Sequence, residues 1–100
     1  MTSVSKTLKK SELKKLEKRF SSWKFAPDYT KATITLAFKR HVDAVVFIAR
    51  LAIHAEVLGH HPEILLTAVK VRVTTSTNKS LTALDITLME RIEKILRSGG

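Results

Sequence analysis

A chain of 100 residues with 44% hydrophobic and 27% charged side chains is long enough for one core, too short for two, and too apolar for a disordered segment. It has no cysteine, which excludes disulfides, thiolate metal sites and cysteine nucleophiles and fits a reducing, cytoplasmic setting. The net charge of +9 is uneven, because residues 1–24 carry eight Lys or Arg against Glu12 and Glu17 alone.

Met1 to Lys10 has three lysines, no arginine and no apolar stretch, a poor targeting peptide that is expected to be flexible. The folded domain is expected over residues 11–97. Ser11 is placed to cap a first helix in which Leu13, Leu16 and Phe20 recur at helical spacing with lysines on the other faces. That lysine-rich face reads as a solvated surface. It lacks a signature for reading nucleic acid, so nucleic-acid binding is disfavoured.

Ser21 to Phe25 reads as a short strand and Ala26-Pro27-Asp28-Tyr29 as a turn. Ala32, Ile34, Leu36 and Phe38 then alternate with Thr33, Thr35 and Ala37, as in a strand with one buried face. From His41 to Leu58, Val42, Val45, Val46, Ala49, Ala52, Ile53 and Val57 fall at spacings of three and four, which predicts a buried helix presenting that face to the core. Asp43, Arg50, His54 and Glu56 interrupt the run, so it is no membrane span. Beyond Pro62, Leu65, Val69, Val71 and Val73 predict one long strand, apolar on one face and basic on the other. Thr77 to Leu81 is a loop, Thr82 and Asp85 have capping-box spacing, and Leu88, Met89, Ile92, Ile95 and Leu96 mark a last amphipathic helix.

The expected fold is α+β: a two-layer sandwich of a mainly antiparallel sheet, about four strands, with three helices on one face. The other sheet face is left bare by this chain and is expected to meet a second subunit.

Chemistry concentrates in Glu56-Val57-Leu58-Gly59-His60-His61-Pro62-Glu63. Gly59 is suited to stop the helix in the left-handed conformation, and Pro62 forces His61 into an extended direction, so the two imidazoles diverge. Glu56, four residues before His60, is expected to orient or charge it. Imidazole is the side chain whose ordinary pKa lies near neutrality, which makes the pair candidates for proton transfer. Caps on backbone carbonyls are the bland alternative. Adjacent histidines rarely converge on one metal ion, so no metal is expected. No Gly-rich phosphate loop, nucleophile elbow or carboxylate pair at catalytic spacing appears.

These residues resemble the pterin-4a-carbinolamine dehydratases. The similarity lies in Glu56-x-x-x-His60-His61-Pro62-Glu63, in the strand Val69 to Thr74, in Leu81-Thr82-Ala83-Leu84-Asp85, and in the aromatics Trp23 and Phe38. The resemblance implies a hydro-lyase that dehydrates 4a-hydroxytetrahydropterin to quinonoid dihydropterin in tetrahydrobiopterin recycling, without metal or cofactor. It implies His60 and His61 as catalytic, with Glu56, Pro62, Glu63, Asn78 and Asp85 orienting or binding substrate, Asp85 most weakly because capping alone accounts for it. Asn78 stands where the family has a third histidine, in a loop about two residues shorter than usual, and Ala68 stands where the family has an aromatic; both departures imply reduced activity. Family members are commonly dimers or tetramers, and vertebrate members also bind a homeodomain transcription factor through a helix. The alternatives are therefore a weakened pterin-binding or protein-interaction relative, with a partner on an exposed helix, and a basic nucleic-acid-binding module.

Overall fold

The computed structural model describes residues 7–98. In chain order these form α1 (Lys10–Arg19), β1 (Lys24–Phe25), β2 (Ala32–Ala37), α2 (His41–Leu58), β3 (Glu63–Thr67), β4 (Lys70–Thr75) and α3 (Ala83–Arg97). The strands form one antiparallel sheet in the order β1-β2-β4-β3, so the α+β class holds.

Helix α1 starts a residue before Ser11. The Lys9 N–H donates to Glu12 Oε1 at 3.1 Å, so an acid in the first turn satisfies a donor that the helix leaves open. Leu13 and Phe20 are buried and Leu16 is half-buried, as their spacing predicts. Only Lys24 and Phe25 of the expected first strand are extended, because Ser21 and Ser22 are used in the turn that the Trp23 N–H closes on the Phe20 carbonyl at 3.0 Å. Of the expected flexible start, residues 1–6 lie outside the described residues. Thr7 pairs with Thr82, and the Leu8 N–H donates to the Leu81 carbonyl at 3.1 Å.

The segment after Pro62 is a hairpin, not one strand. Thr67 pairs with Lys70 across a two-residue turn at Ala68-Val69. Ala68 sits at φ 53, the left-handed first position of such turns. The Phe38 N–H donates to the Val69 carbonyl at 2.8 Å and His41 Nδ1 donates to the Ala68 carbonyl at 2.6 Å, tying the turn to the start of α2. Crossing the turn reverses the parity of the inward face. Val71, Val73 and Thr75 point in from β4, but it is Ile64 and Leu66 that point in from β3, and Leu65 is left 47% exposed on the other side.

Helix α2 buries Ala44, Phe47, Leu51 and Ala55, the opposite side from the one its valines predict. Val42, Val45, Val46, Ile53 and Val57 are 42–73% exposed. At about 100° per residue the two sets lie on opposite faces; the helix is apolar nearly all round, and its bulkiest pair, Phe47 and Leu51, takes the core. There they meet Ile34, Val71 and Val73 of the sheet and Leu88, Met89 and Ile92 of α3 in one buried cluster. Among the described residues no helix is long and apolar enough to cross a membrane.

Candidate active site

The end of α2 is built so that His60 leaves the helix at a fixed angle. Gly59 sits at φ 65, its N–H donates to the Glu56 carbonyl at 3.1 Å, and the His60 N–H donates to the Ala55 carbonyl at 3.0 Å. This nested pair of bonds closes the last turn and needs a left-handed residue at its centre. The ring of His60 then turns in toward the end of β4, and the residue is 9% exposed.

There it meets a buried carboxylate. His60 Nε2 lies 2.7 Å from Asp85 Oδ1 and 3.1 Å from Thr75 Oγ1. Asp85 is fully buried in the first turn of α3 and accepts from the Thr75 hydroxyl at 2.5 Å, the Thr77 hydroxyl at 2.7 Å and the Thr82 N–H at 2.9 Å. The capping box expected of Thr82 and Asp85 is present, and the same carboxylate also holds the imidazole. Capping and histidine orientation are one device here.

The network fixes the tautomer of His60. The one hydrogen of Thr75 Oγ1 goes to Asp85, so Nε2 faces a carboxylate oxygen and a hydroxyl lone pair, and only an Nε2–H satisfies both. In the neutral ring the free lone pair is then on Nδ1. No hydrogen bond is formed by Nδ1 within the described residues, and no buried side-chain nitrogen or oxygen among them lacks a partner. Nδ1 is therefore the ring nitrogen that the described residues leave open.

His61 diverges, as Pro62 requires, and is 64% exposed. Its Nε2 donates to Glu56 Oε1 at 2.7 Å, with Glu56 80% exposed. Glu56 thus pairs with His61 and not, as helical spacing suggests, with His60: the left-handed step at Gly59 takes His60 off the face of α2. Such an open pair contributes at most about 1 kcal/mol and acts mainly by limiting the ring's orientations. Neither ring caps the helix through backbone carbonyls.

The remaining candidates separate. Thr77 to Ser80 form a tight turn closed by the Thr77 N–H on the Ser80 carbonyl at 2.7 Å and by the reverse bond at 3.1 Å. Asn78 and Lys79 occupy its centre at φ 49 and 61. Asn is among the residues that accept this conformation most readily, so Asn78 has a backbone reason for its place, one residue from the Thr77 that holds Asp85. Glu63 opens β3 opposite Thr74. Since Thr75 faces the His60 network, Thr74 and Glu63 face the other side of the sheet, and Glu63 does not join the imidazoles. Thr75 and Thr77 were not evident as site residues from sequence, although strand parity would have aimed Thr75 inward. Among the described residues no three His, Asp or Glu side chains cluster to hold a metal ion. Among the described residues, two concavities lie away from the imidazoles, one between α1 and α3 and one on the bare sheet face.

A four-stranded antiparallel sheet backed by three helices, with a carboxylate-anchored histidine where α2 meets β3, defines a small α+β protein with a buried His–Asp pair. Comparison with known proteins names its relatives. The chain belongs to the pterin 4 alpha carbinolamine dehydratase family, whose model matches residues 6–95. A Nostoc punctiforme protein named "Putative pterin-4-alpha-carbinolamine dehydratase" is 32% identical over 94 residues, 92% of this chain and 99% of that protein. One of the same name from Rhizobium meliloti is 35% identical over 78 residues, 76% of this chain and 75% of its own length. A crystal structure of a transcriptional coactivator/pterin dehydratase from Brucella melitensis superposes with a TM-score of 0.84 at 29% identity, covering 90% of this chain and 98% of that one.

Proposed function

We propose that this chain dehydrates a 4a-hydroxytetrahydropterin to the quinonoid dihydropterin, in the recycling of tetrahydrobiopterin, by histidine acid/base catalysis. The observation that carries the reading is His60, with Nε2 committed to Asp85 and Nδ1 left open by the described residues.

The reaction breaks the C4a–O bond. One proton goes to the departing hydroxyl, which leaves as water, and one is taken from a ring N–H. His60 through Nδ1 and His61 beside it share these transfers. Asp85 is a positioning residue, since it reaches the substrate only through His60, and Glu56 does the same for His61. Pro62 keeps the two rings apart. Asn78 holds the hydroxyl by hydrogen bonding; its amide delivers no proton, so turnover is slower than with a third imidazole. Each proton-transfer group contributes on the order of 10² to 10⁴ in rate.

The test is the dehydration of chemically generated 4a-hydroxytetrahydropterin. Wild type should exceed the spontaneous rate, His61→Ala should lose part of the excess, and Asn78→His should raise it. A wild-type rate equal to background removes the reading.

A second role rests on α2. Val42, Val45, Val46, Ile53 and Val57 form an exposed apolar stripe, a surface type that marks association sites. The bare sheet face was the expected contact for a second subunit, but it is polar and cationic, and copies meeting there would repel. The α2 stripe is the better surface for a homo-dimer or homo-tetramer, or for a protein partner of the kind that the word coactivator implies for the Brucella protein.

A further inference from the structure

The sheet face turned away from the helices carries an unassigned charge pattern. Strand register places Lys24, Thr33, Thr74 and Glu63 side by side in one outward row and Thr35, Arg72 and Leu65 in the next, with rows roughly 6.6 Å apart and neighbours within a row about 4.8 Å apart. A concavity of about 690 Å³ opens over them, walled by Lys24, Lys31, Glu63 and Arg72. A second of about 230 Å³ adjoins it, shares Thr35 and Arg72, and adds Lys70.

Lys24, Lys31, Lys70 and Arg72 are all exposed, and none forms an ion pair among the described residues. Glu63 is the single acid lining either concavity. Thr33 and Thr74 hydroxyls lie 3.1 Å apart in the floor between the cations, so one of the two hydroxyl hydrogens is not needed for their mutual bond and can donate upward. Guanidinium, ammonium and hydroxyl donors converging on one hollow suit phosphate oxygens. No exposed aromatic ring lies in these rows, so the stacking platform of single-stranded nucleic acid is missing.

We propose that this face binds a small, multiply charged, phosphate-bearing anion, seated between Arg72 and Lys24 over the Thr33–Thr74 hydroxyls and kept from the β3 edge by Glu63. It is independent of the imidazole site, which lies on the other side of the sheet.

The experiment titrates the full chain with inorganic pyrophosphate at about 0.15 M ionic strength, where diffuse surface attraction is screened, following backbone amides by ¹H–¹⁵N NMR. Saturable shifts are expected at Lys24, Thr33, Arg72 and Thr74. The double variant K24A/R72A should bind about tenfold more weakly, and Glu63→Gln about two- to threefold more tightly. K14Q/K15Q/K18Q on α1 removes more charge than the first variant and should leave the Kd within about twofold, because none of those lysines lines either concavity. These residues are exposed, and the same spectra show whether each variant is folded. Shifts scattered over the surface, or equal weakening by the α1 variant, would overturn the proposal. So would a single-stranded oligonucleotide that occupies this face more tightly than pyrophosphate.

Discussion

Replacing Asp85 with Ala tests how much of the fold depends on the carboxylate that holds the histidine. The side chain is fully buried and accepts from the Thr82 N–H, the Thr75 and Thr77 hydroxyls and His60 Nε2. Its removal strands the Thr82 N–H in a dry site, at about 1–3 kcal/mol, and costs the imidazole N–H its bond to a charged acceptor, about 1.5–3 kcal/mol, leaving it the Thr75 hydroxyl at 3.1 Å. The hydroxyls can rotate; Thr77 Oγ1 already lies 3.2 Å from Thr82 Oγ1. Loss of the first-turn acid at α3 adds about 0.5–1 kcal/mol. The sum is about 3–7 kcal/mol, a large share of the roughly 5–15 kcal/mol typical of a domain, and corresponds to a fall in Tm of roughly 12 °C or more at this size. Urea unfolding followed by the fluorescence of Trp23, the single tryptophan and 4% exposed, measures it directly. A loss below about 1 kcal/mol, the range of a surface substitution, would refute the reasoning.

Other outcomes follow from backbone and surface. Ala68→Gly should stabilise by about 0.5–1 kcal/mol, since it removes the left-handed penalty at φ 53, and equal or lower urea stability would contradict the turn geometry. Lys79→Gly, at φ 61, should act in the same direction by a similar amount in the same assay. Ile53→Glu with Val57→Glu, at 65% and 73% exposure, should shift sedimentation toward monomer and change monomer stability by less than about 0.5 kcal/mol. Unaltered association would move the contact away from α2. Thr75→Val should cost about 1–2 kcal/mol by urea unfolding, because it removes a buried hydroxyl that donates to Asp85.

Much of this is written locally. The strand Ala32 to Ala37 follows from alternation, the stop at Gly59 from glycine before a His-His-Pro run, and the Thr82–Asp85 cap from spacing. What sequence hides is what depends on a second segment. The valines of α2 are as apolar as its buried side, so periodicity alone could not choose between faces that only the sheet and α3 distinguish. The hairpin carries no Asn-Gly or Asp-Gly signal; Ala68 adopts the left-handed turn while Phe38 and His41 hold it from outside. Counting four residues joins Glu56 to His60, yet the left-handed step at Gly59 sends His60 toward a carboxylate 25 positions away and leaves Glu56 to His61. The histidine pair stands out in the sequence, but its division into one buried, anchored ring and one open ring does not.

Asp85 holds the proton of His60 on Nε2 and leaves the lone pair of the neutral ring on Nδ1. Ring ¹⁵N NMR of His60 reads this directly through the long-range couplings that distinguish the two nitrogens. The neutral ring should show a protonated Nε2 and a bare Nδ1, and Asp85→Asn should disturb that preference. A ring protonated on Nδ1, or one averaging between tautomers as free imidazole does, would contradict the account.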